Sequence, residues 1–556
     1  MARRILLGLL LLLLLSSCSK KEEIGRYDDP GQPAYGDTLV TSSIGEASNL
    51  IPLLATDGAS HDIAGYVYNG LVKYDKDLKI VGDLAESWDF SPDKLTITFH
   101  LRKNVIWQDG RPFTARDVLY TYKVTIDPKT PTAYSGDFLM VKIAEALDDY
   151  TFRVTYDKPF APALISWGAS ILPAHLLEGK DITTSPLTRA PVGTGPYKLK
   201  DWFAGDRIVL TENSDYFEGR PYISRVIARV IPDPATQFLE LKNGGIDMAG
   251  LTPLQFVRQT EYPKFKREYN KIKYLGFNYV YLGYNLKHPF FRDKRVRQAL
   301  TYAVNKQEII EGILLGQGVV ADGPYKPDMW AYNPNVRKYP YDPKKAEALL
   351  AEAGFVKGTD GHLTTKDGKP FEFTIMTNQG NDVRIHTAEL IQGWLAAVGI
   401  TVKIRVIEWA AFVNQFIDAR KFDAVLLAWT IPQDPDIFDI WHSSKQGTKE
   451  LNFMGFENKD VDELLVRARQ TFDQEERKSC YWRIQEILAD EQPYTFLFIP
   501  YATLAVQKRI KGIVPAPAGI TYNFIKWYVP ADQQRYRTET EHEPGQKQNT
   551  NQDVKR

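Results

Sequence analysis

The chain lacks most of the residue patterns that mark enzymes, metalloproteins and nucleic-acid-binding proteins. It has two cysteines and eight histidines in 556 residues, without the spacing of a metal-ligand motif. Lys+Arg and Asp+Glu are equal at 69 each, so no net charge favours a nucleic-acid partner. The motifs G-x-S-x-G, H-E-x-x-H, C-x-x-C and G-x-x-x-x-G-K-[ST] are absent. The sequence therefore supports neither catalysis nor a cofactor.

Long hydrophobic runs are also scarce, and the one near the start is short. Two arginines precede the apolar run 5–15, which is about half the roughly 20 residues of a membrane-spanning helix. The run ends in Leu-Ser-Ser-Cys, which resembles the bacterial lipobox, in which the cysteine is diacylated. We therefore expect a signal peptide over 1–18, lipidation at Cys18 and an extracytoplasmic, lipid-anchored body. The alternative is an ordinary secreted protein cleaved near Ser17.

One stretch shows a clear succession of local elements. Apolar and polar residues alternate from Lys94 to Arg102, which predicts a half-buried strand. The pair Asp109-Gly110 predicts a turn. Thr114 and Asp117 then have the spacing of a capping box, and apolar residues follow at helical spacing. Together these patterns predict a strand, a turn and a helix.

The sequence around this unit carries a family resemblance. Residues 84–118, LAESWDFSPDKLTITFHLRKNVIWQDGRPFTARDV, resemble the signature of the extracytoplasmic solute-binding proteins of family 5, the oligopeptide- and dipeptide-binding subunits of ABC importers. Further matches occur in order at APVGTGPYKLKDW (190–202), YLGYNLKHPFFRDKRVRQALTYAVNK (281–306) and YDPKKAEALLAEAGF (341–355). The resemblance extends from about Asp37 to Pro530, nearly the whole mature chain.

A predicted helix over 383–398 lies between predicted strands 371–376 and 401–406, and this alternation favours an α/β lobe. The resemblance implies a periplasmic-binding-protein-like type II fold, with two lobes joined by a two-crossing hinge and an extra subdomain. The implied ranges are a tether at 19–36, lobe I at 37–70, 190–275 and 500–532, the subdomain at 71–189 and lobe II at 276–499. We expect the polar tail 533–556 to be disordered.

Three stretches correspond to places where the family binds its ligands. They are 41–46 after the first strand, 377–384 between a strand and a helix, and 408–436. The ligand-binding residues that this resemblance implies are Ser43, Glu46, Asn378, Asn381, Arg384, Trp409, Trp429 and Asp434. Trp409 and Trp429 are the expected pocket walls, although either could instead belong to the core.

The chain departs from its peptide-binding relatives at two of these places. The acid that pairs with a peptide amine is missing after Trp429-Thr430 or displaced to Asp434, which could instead begin a helix. Asn378 or Gln379 stands where dipeptide binders carry an arginine for the carboxylate. Enclosing an ionised terminus without a partner costs several kcal/mol, comparable to the roughly 8 kcal/mol of micromolar binding. This favours oligopeptides, whose termini can remain in solvent.

We therefore predict a monomeric, non-catalytic receptor that binds an oligopeptide and delivers it to ABC permease subunits in the membrane. Main-chain bonds to strand edges would supply much of the binding. Three alternatives remain: another solute, such as a nickel chelate or a sugar, bound by the same fold; a secreted hydrolase; and a structural or chaperone-like surface protein.

Overall fold

The computed structural model describes residues 31–55, 57–447 and 450–536. The predicted signal peptide with Cys18, most of the predicted tether and residues 537–556 lie outside the described residues. The described helices include none with the length and apolar composition of a membrane span.

The strands and helices alternate along much of the chain, as in an α/β protein. The strands are β1 (Gly36–Ser43), β2 (Val72–Tyr74), β3 (Ile80–Gly82), β4 (Ala85–Phe90), β5 (Thr96–Leu101), β6 (Val141–Asp148), β7 (Thr151–Tyr156), β8 (Tyr197–Phe203), β9 (Arg207–Glu212), β10 (Ile223–Val230), β11 (Met248–Gly250), β12 (Tyr269–Leu275), β13 (Asn278–Tyr284), β14 (Gly318–Val320), β15 (Val356–Lys357), β16 (Leu363–Thr364), β17 (Glu372–Asn378), β18 (Thr401–Ile407), β19 (Ala424–Thr430) and β20 (Tyr494–Gln507). The α-helices are α1 (Gly58–Val67), α2 (Ala115–Ile126), α3 (Ala163–Ser166), α4 (Ala174–Leu177), α5 (Pro234–Asn243), α6 (Pro263–Glu268), α7 (Lys294–Ala303), α8 (Lys306–Glu308), α9 (Pro343–Glu352), α10 (Asp382–Ala397), α11 (Trp409–Ala411), α12 (Phe438–Trp441), α13 (Lys459–Gln470) and α14 (Gln474–Glu491).

Lobe I is built on a four-stranded sheet in the order β1-β10-β9-β8. β1 is parallel to β10, and the other neighbours are antiparallel. The fully buried side chains of Leu39, Val67, Tyr197 and Leu210 belong to the core on this sheet. Because β1 is an edge strand, its end at Ser43 has a neighbouring strand on one side only.

The extra subdomain contains an antiparallel sheet in the order β4-β5-β7-β6, against which α2 packs. The predicted alternating strand is β5, with Ile97, Phe99 and Leu101 buried. The predicted helix start is also present, because Asp117 accepts a hydrogen bond from the Thr114 amide at 3.0 Å. This strand and helix surround a separate core that includes Trp107.

Lobe II contains most of a larger sheet, in which the strands run in the order β11-β20-β13-β19-β17-β18. β17 and β18 are parallel and are connected by α10, as the sequence predicts. β13 is antiparallel to both β19 and β20. The strands β12 and β14 also pair with β20.

The long strand β20 links the two lobes. Its first half pairs with β13 and β14, whereas its second half pairs with β11 and β12. Between β12 and β13 the Gly276 amide donates to the Pro500 carbonyl at 2.9 Å, and the Tyr501 amide donates to the Gln317 carbonyl at 3.1 Å. The chain thus crosses between the lobes near 275–278 and near 500–501, which agrees with the predicted two-crossing hinge.

The C-terminal end of the described chain is held against β1. The amides of Arg535 and Tyr536 donate to the Asp37 carboxylate at 3.2 and 2.8 Å. Asp37 thus supplies acceptors for residues 535 and 536, at the beginning of the predicted tail 533–556. The residue limits of the lobes and of the subdomain otherwise stay predictions.

Candidate ligand-binding site

The sheet of lobe II opens at the ends of two neighbouring strands. β17 pairs with β19 at two positions, Ile375 with Ala424 and Met376 with Val425. At the next position the Thr377 hydroxyl donates to the Leu426 carbonyl at 2.9 Å, so a side chain takes the place of a backbone pair. β19 continues to Thr430 on its β13 side. Residues 427–430 therefore have no strand partner on their β17 side in the described chain.

Three of the predicted ligand residues meet at this opening. Asn378 ends β17, and its side-chain oxygen accepts from Arg384 Nη1 at 2.7 Å. Asn381 caps α10 by accepting from the Arg384 amide at 3.0 Å. Among the described residues no acidic side chain lies within ion-pair distance of Arg384, and burial lowers the pKa of its guanidinium. The opening thus contains a half-buried cation without a counter-charge.

Trp429 forms part of an aromatic layer beside this cation. Its ring is nearly parallel to that of Tyr281, with centroids 6.4 Å apart, and Tyr281 in turn stacks on Tyr494 at 4.1 Å. Trp429 Nε1 donates to the Tyr494 hydroxyl at 3.2 Å. Tyr281 is fully buried and interacts electrostatically with Arg384. Tyr281 and Tyr494 belong to a core of lobe II, and Trp429 packs against that core while remaining half-buried. Of these three rings, Trp429 is therefore the one with surface left for a ligand.

Trp409 lies at the same end of the sheet but does not join the aromatic layer. It follows β18, whose last residue Ile407 pairs with Asn378. Its side chain is 53% exposed, and its ring contacts Phe412 at 6.5 Å. An exposed indole at this position has an open face for a ligand. Its role as a pocket wall stays a prediction.

Asp434 is already engaged within lobe II. Its carboxylate accepts from Arg477 Nη2 at 2.7 Å and from Arg477 Nη1 at 3.1 Å, and from the Asp436 amide at 3.0 Å. A ligand amine would therefore share this carboxylate with a buried arginine. Asp436 accepts from the Phe438 amide at the first residue of α12, so the helix-start interpretation applies to this second aspartate.

The two predicted ligand residues of lobe I lie at the end of β1. The Ser43 carbonyl accepts from the Ile231 amide at 2.8 Å, and the Ser43 hydroxyl from the Gly45 amide at 3.3 Å. The Glu46 carboxylate accepts from Trp202 Nε1 at 2.8 Å and from the Gly205 amide at 3.0 Å. Glu46 thus holds the loop after β1 against the lobe I sheet, on a different lobe from Asn378 and Trp429.

A cavity elsewhere in lobe II contains none of the predicted ligand residues. It has a volume of about 360 Å³ and is lined by Leu286, Lys287, Arg292, Arg297, Gly455, Phe456, Glu457 and Glu491. Arg297 donates to Glu491 at 3.0 Å, so the most buried cation of this cavity is neutralised. Within the part of the chain that the structure describes, no cluster of three or more His, Cys, Asp or Glu could hold a metal ion.

Three residues that shape this region were not predicted from the sequence, namely Tyr281, Tyr494 and Arg477. A signal existed for Tyr281, because Tyr279 and Tyr281 alternate with Val280 and Leu282, a pattern that places both tyrosines on one face of a strand. Arg477 lies 43 residues after Asp434, on α14, and a sequence pattern does not reveal such a pairing.

Comparison with known proteins shows similarity over nearly the whole chain. The family model for bacterial extracellular solute-binding proteins, family 5 (middle), matches residues 79–449. The oligopeptide-binding protein AppA of Bacillus subtilis is 36% identical over 543 residues, which covers 95% of this chain and 98% of AppA.

Solved structures give the same result for the fold. AppA from Bacillus subtilis in complex with a nonapeptide has a TM-score of 0.78 at 34% identity, over 90% of this chain and all of that one. NikZ from Campylobacter jejuni in complex with Ni(L-His) has a TM-score of 0.78 at 32% identity, over 88% of this chain and 99% of that one. These similarities confirm the predicted α/β, periplasmic-binding-protein-like fold.

Proposed function

Because the chain belongs to family 5 of the bacterial extracellular solute-binding proteins, we propose that it captures oligopeptides between its lobes and delivers them to the permease of an ABC importer. It would act as a monomer outside the cytoplasm, anchored by a lipid on Cys18, and it would catalyse no reaction. AppA of Bacillus subtilis, which was solved with a nonapeptide, supports a peptide of this kind as the ligand.

The open edge of β19 is the observation that carries this proposal. Residues 427–430 lack a strand on their β17 side in the described chain, so their main-chain groups can pair with an extended peptide. β1 is an edge strand at Ser43 on the other lobe. Main-chain pairing depends little on the ligand's side chains. Two strand edges on two lobes therefore suit peptides of varied sequence.

The charged groups near this edge favour peptides longer than a dipeptide. Asp434 is shared with Arg477, so a peptide amine enclosed here would lack a carboxylate of its own. Removing such a charge from water without a partner costs several kcal/mol. A longer peptide can leave its amino terminus in solvent. Arg384, in contrast, would gain a counter-charge from a peptide carboxylate, either terminal or on a side chain.

Binding would favour the closed arrangement of the lobes. A peptide that contacts Ser43 in lobe I and Asn378 in lobe II makes both sets of contacts only when the lobes are together. A ligand shifts such an equilibrium by the difference in its affinity for the two states. The two crossings near 275–278 and 500–501 allow this motion with few changes in the backbone.

Native mass spectrometry of protein purified without denaturation tests the choice of ligand. A series of bound masses that fragment as peptides is expected. One discrete mass that does not fragment as a peptide would overturn the peptide proposal and would favour another solute, such as the Ni(L-His) that NikZ of Campylobacter jejuni binds.

A charge substitution tests the site. R384Q keeps a side chain that can donate to Asn378 but removes the cation, so the bound peptides should shift toward fewer acidic residues and affinity should fall about tenfold. The matched control is R405Q, since Arg405 is an exposed arginine of β18 in the same lobe. Equal behaviour of R384Q and R405Q would exclude Arg384 from the site.

A further inference from the structure

A small contact joins the extra subdomain to lobe II. The Ala161 amide donates to the Arg469 carbonyl at 2.6 Å. The rings of Phe90 and Phe472 meet edge to face at 5.1 Å. Ala161 and Phe90 belong to the subdomain, whereas Arg469 lies in the last turn of α13 and Phe472 lies between α13 and α14. We name this set of four residues the clasp.

Charged groups lie directly behind the clasp. Arg469 pairs with Asp436 at 2.7 Å and lies 4.0 Å from the centre of the Phe438 ring. On the subdomain side, Asp137 is close enough to Arg469 to interact electrostatically, although burial raises the pKa of its carboxyl. Tyr74 of the subdomain likewise interacts with Asp434. The contact therefore extends beyond the clasp to an ionic cluster of lobe II.

The subdomain itself is fixed firmly to lobe I. Gln108 donates to the Tyr197 carbonyl at 2.7 Å, and the Gln108 amide donates to the Gly193 carbonyl at 2.9 Å. Lys73 pairs with Glu218 at 2.6 Å. A rotation at the hinge would therefore carry the subdomain with lobe I, and would separate it from lobe II.

The clasp differs from these connections because no apolar residue bridges the cores on its two sides. Val192 packs against both the lobe I core and the subdomain core, whereas in the described chain no residue packs against both the subdomain core and a core of lobe II. The clasp consists of one backbone hydrogen bond and one ring pair, beside charged groups. Thin, polar contacts of this kind between domains form and break readily.

We propose that the clasp is a closing device, made when the lobes close and broken when they open, which stabilises the closed state independently of the cargo. This inference rests on the two-lobed fold and not on peptide as the ligand. An aromatic pair changes an equilibrium by about two- to tenfold. Removal of either ring should shift the closed fraction by that factor, without altering any residue of the proposed ligand site.

The test combines F90A, F472A and the double variant, studied with the full chain. Small-angle scattering reports the closed fraction, and hydrogen exchange at the Ala161 amide reports the clasp directly. Both are measured with and without a pool of random-sequence nonapeptides. The matched control is F203A, which removes an exposed phenylalanine of lobe I. Unfolding by urea shows whether F472A remains folded. F90A removes the other ring of the same pair, on the subdomain, and so tests the clasp without changing lobe II.

We expect F90A and F472A to increase the radius of gyration and the Ala161 exchange rate, with the double variant no worse than either single variant. F203A should match the wild type. The proposal is overturned if scattering is the same for all variants in both samples, or if the effects of F90A and F472A simply add. It is also overturned if Ala161 exchange in the wild type is independent of lobe closure. A wild type that ignores the nonapeptides but opens on F472A would contradict the peptide proposal and not the clasp.

Discussion

Replacing Arg509 by methionine should destabilise lobe I strongly, because this arginine neutralises two buried carboxylates. Its guanidinium donates to Asp247 at 2.7 and 3.1 Å, to the Thr38 carbonyl at 2.9 Å and also to Asp37. Arg509, Asp37 and Asp247 are each at most 6% exposed. The group links the start of β1, the chain before β11 and the end of β20.

The expected loss follows from this burial. Methionine has a similar length but no charge, so R509M would leave two carboxylates in the core without a counter-charge. Breaking a buried ion pair in this way costs about 3–5 kcal/mol. Burial already raises the pKa of Asp247, and Arg509 opposes that shift. The loss should therefore be smaller at pH 4 than at pH 7, since a protonated carboxyl needs no counter-charge.

The matched control is R295M in lobe II. Arg295 also holds an aspartate, Asp293, through several hydrogen bonds, but the two side chains are 46% and 34% exposed. Exposed pairs contribute about 0–1 kcal/mol. Exchange at the Val40 amide, which donates to Asp247 at 2.8 Å, gives the local stability of lobe I, and urea unfolding gives that of the whole chain.

The comparison separates burial from geometry. If R509M and R295M reduce stability equally, burial does not set the strength of these pairs and the reasoning is wrong. A larger loss for R509M at pH 4 than at pH 7 would contradict the role given to the carboxylates.

Two further predictions concern the hinge and a buried acid. G276A should lower the free energy of unfolding in urea by about 1–3 kcal/mol, because a Cβ at Gly276 would lie 2.7 Å from the Pro500 carbonyl oxygen. G250A is the control, since nothing lies within 4 Å of its Cβ. Equal losses of stability in the two variants would refute the prediction. D137N should make stability depend less on pH above the ordinary pKa of an aspartate, because burial raises the pKa of Asp137 and the folded chain thus loses stability as this carboxyl ionises. The Ser166 hydroxyl, which donates to Asp137 at 2.6 Å, can still donate to asparagine, and an unchanged pH profile would count against this account.

The local elements were accessible from the sequence because their signals lie close together along the chain. Alternation predicted β5, and Thr114 with Asp117 predicted the start of α2, where Asp117 accepts from the Thr114 amide at 3.0 Å. β6 was not predicted, because Ile143 and Leu147 on this edge strand are about half exposed and the pattern does not alternate. Edge strands with exposed apolar residues carry a weak signal.

The candidate site was accessible only in part. Asn378, Asn381 and Arg384 fall in one loop and helix start, so their proximity follows from the sequence. The pairing of Asp434 with Arg477 does not follow from the sequence. Many aspartates and arginines of the chain could form such a pair, and the packing of distant segments determines which of them meet. From the sequence, Asp434 therefore stayed open between binding a ligand amine and beginning a helix, and its pairing with Arg477 was not expected.

By itself the sequence determined the helix caps, the strand periods and the family resemblance, since each depends on residues near one another or on ordered motifs. Tertiary structure alone decided that β20 pairs with both lobes and that β17 separates from β19 after Met376 and Val425. The physical reason is that pairing and separation of strands depend on the twist and packing of whole sheets, which no short segment of the chain specifies.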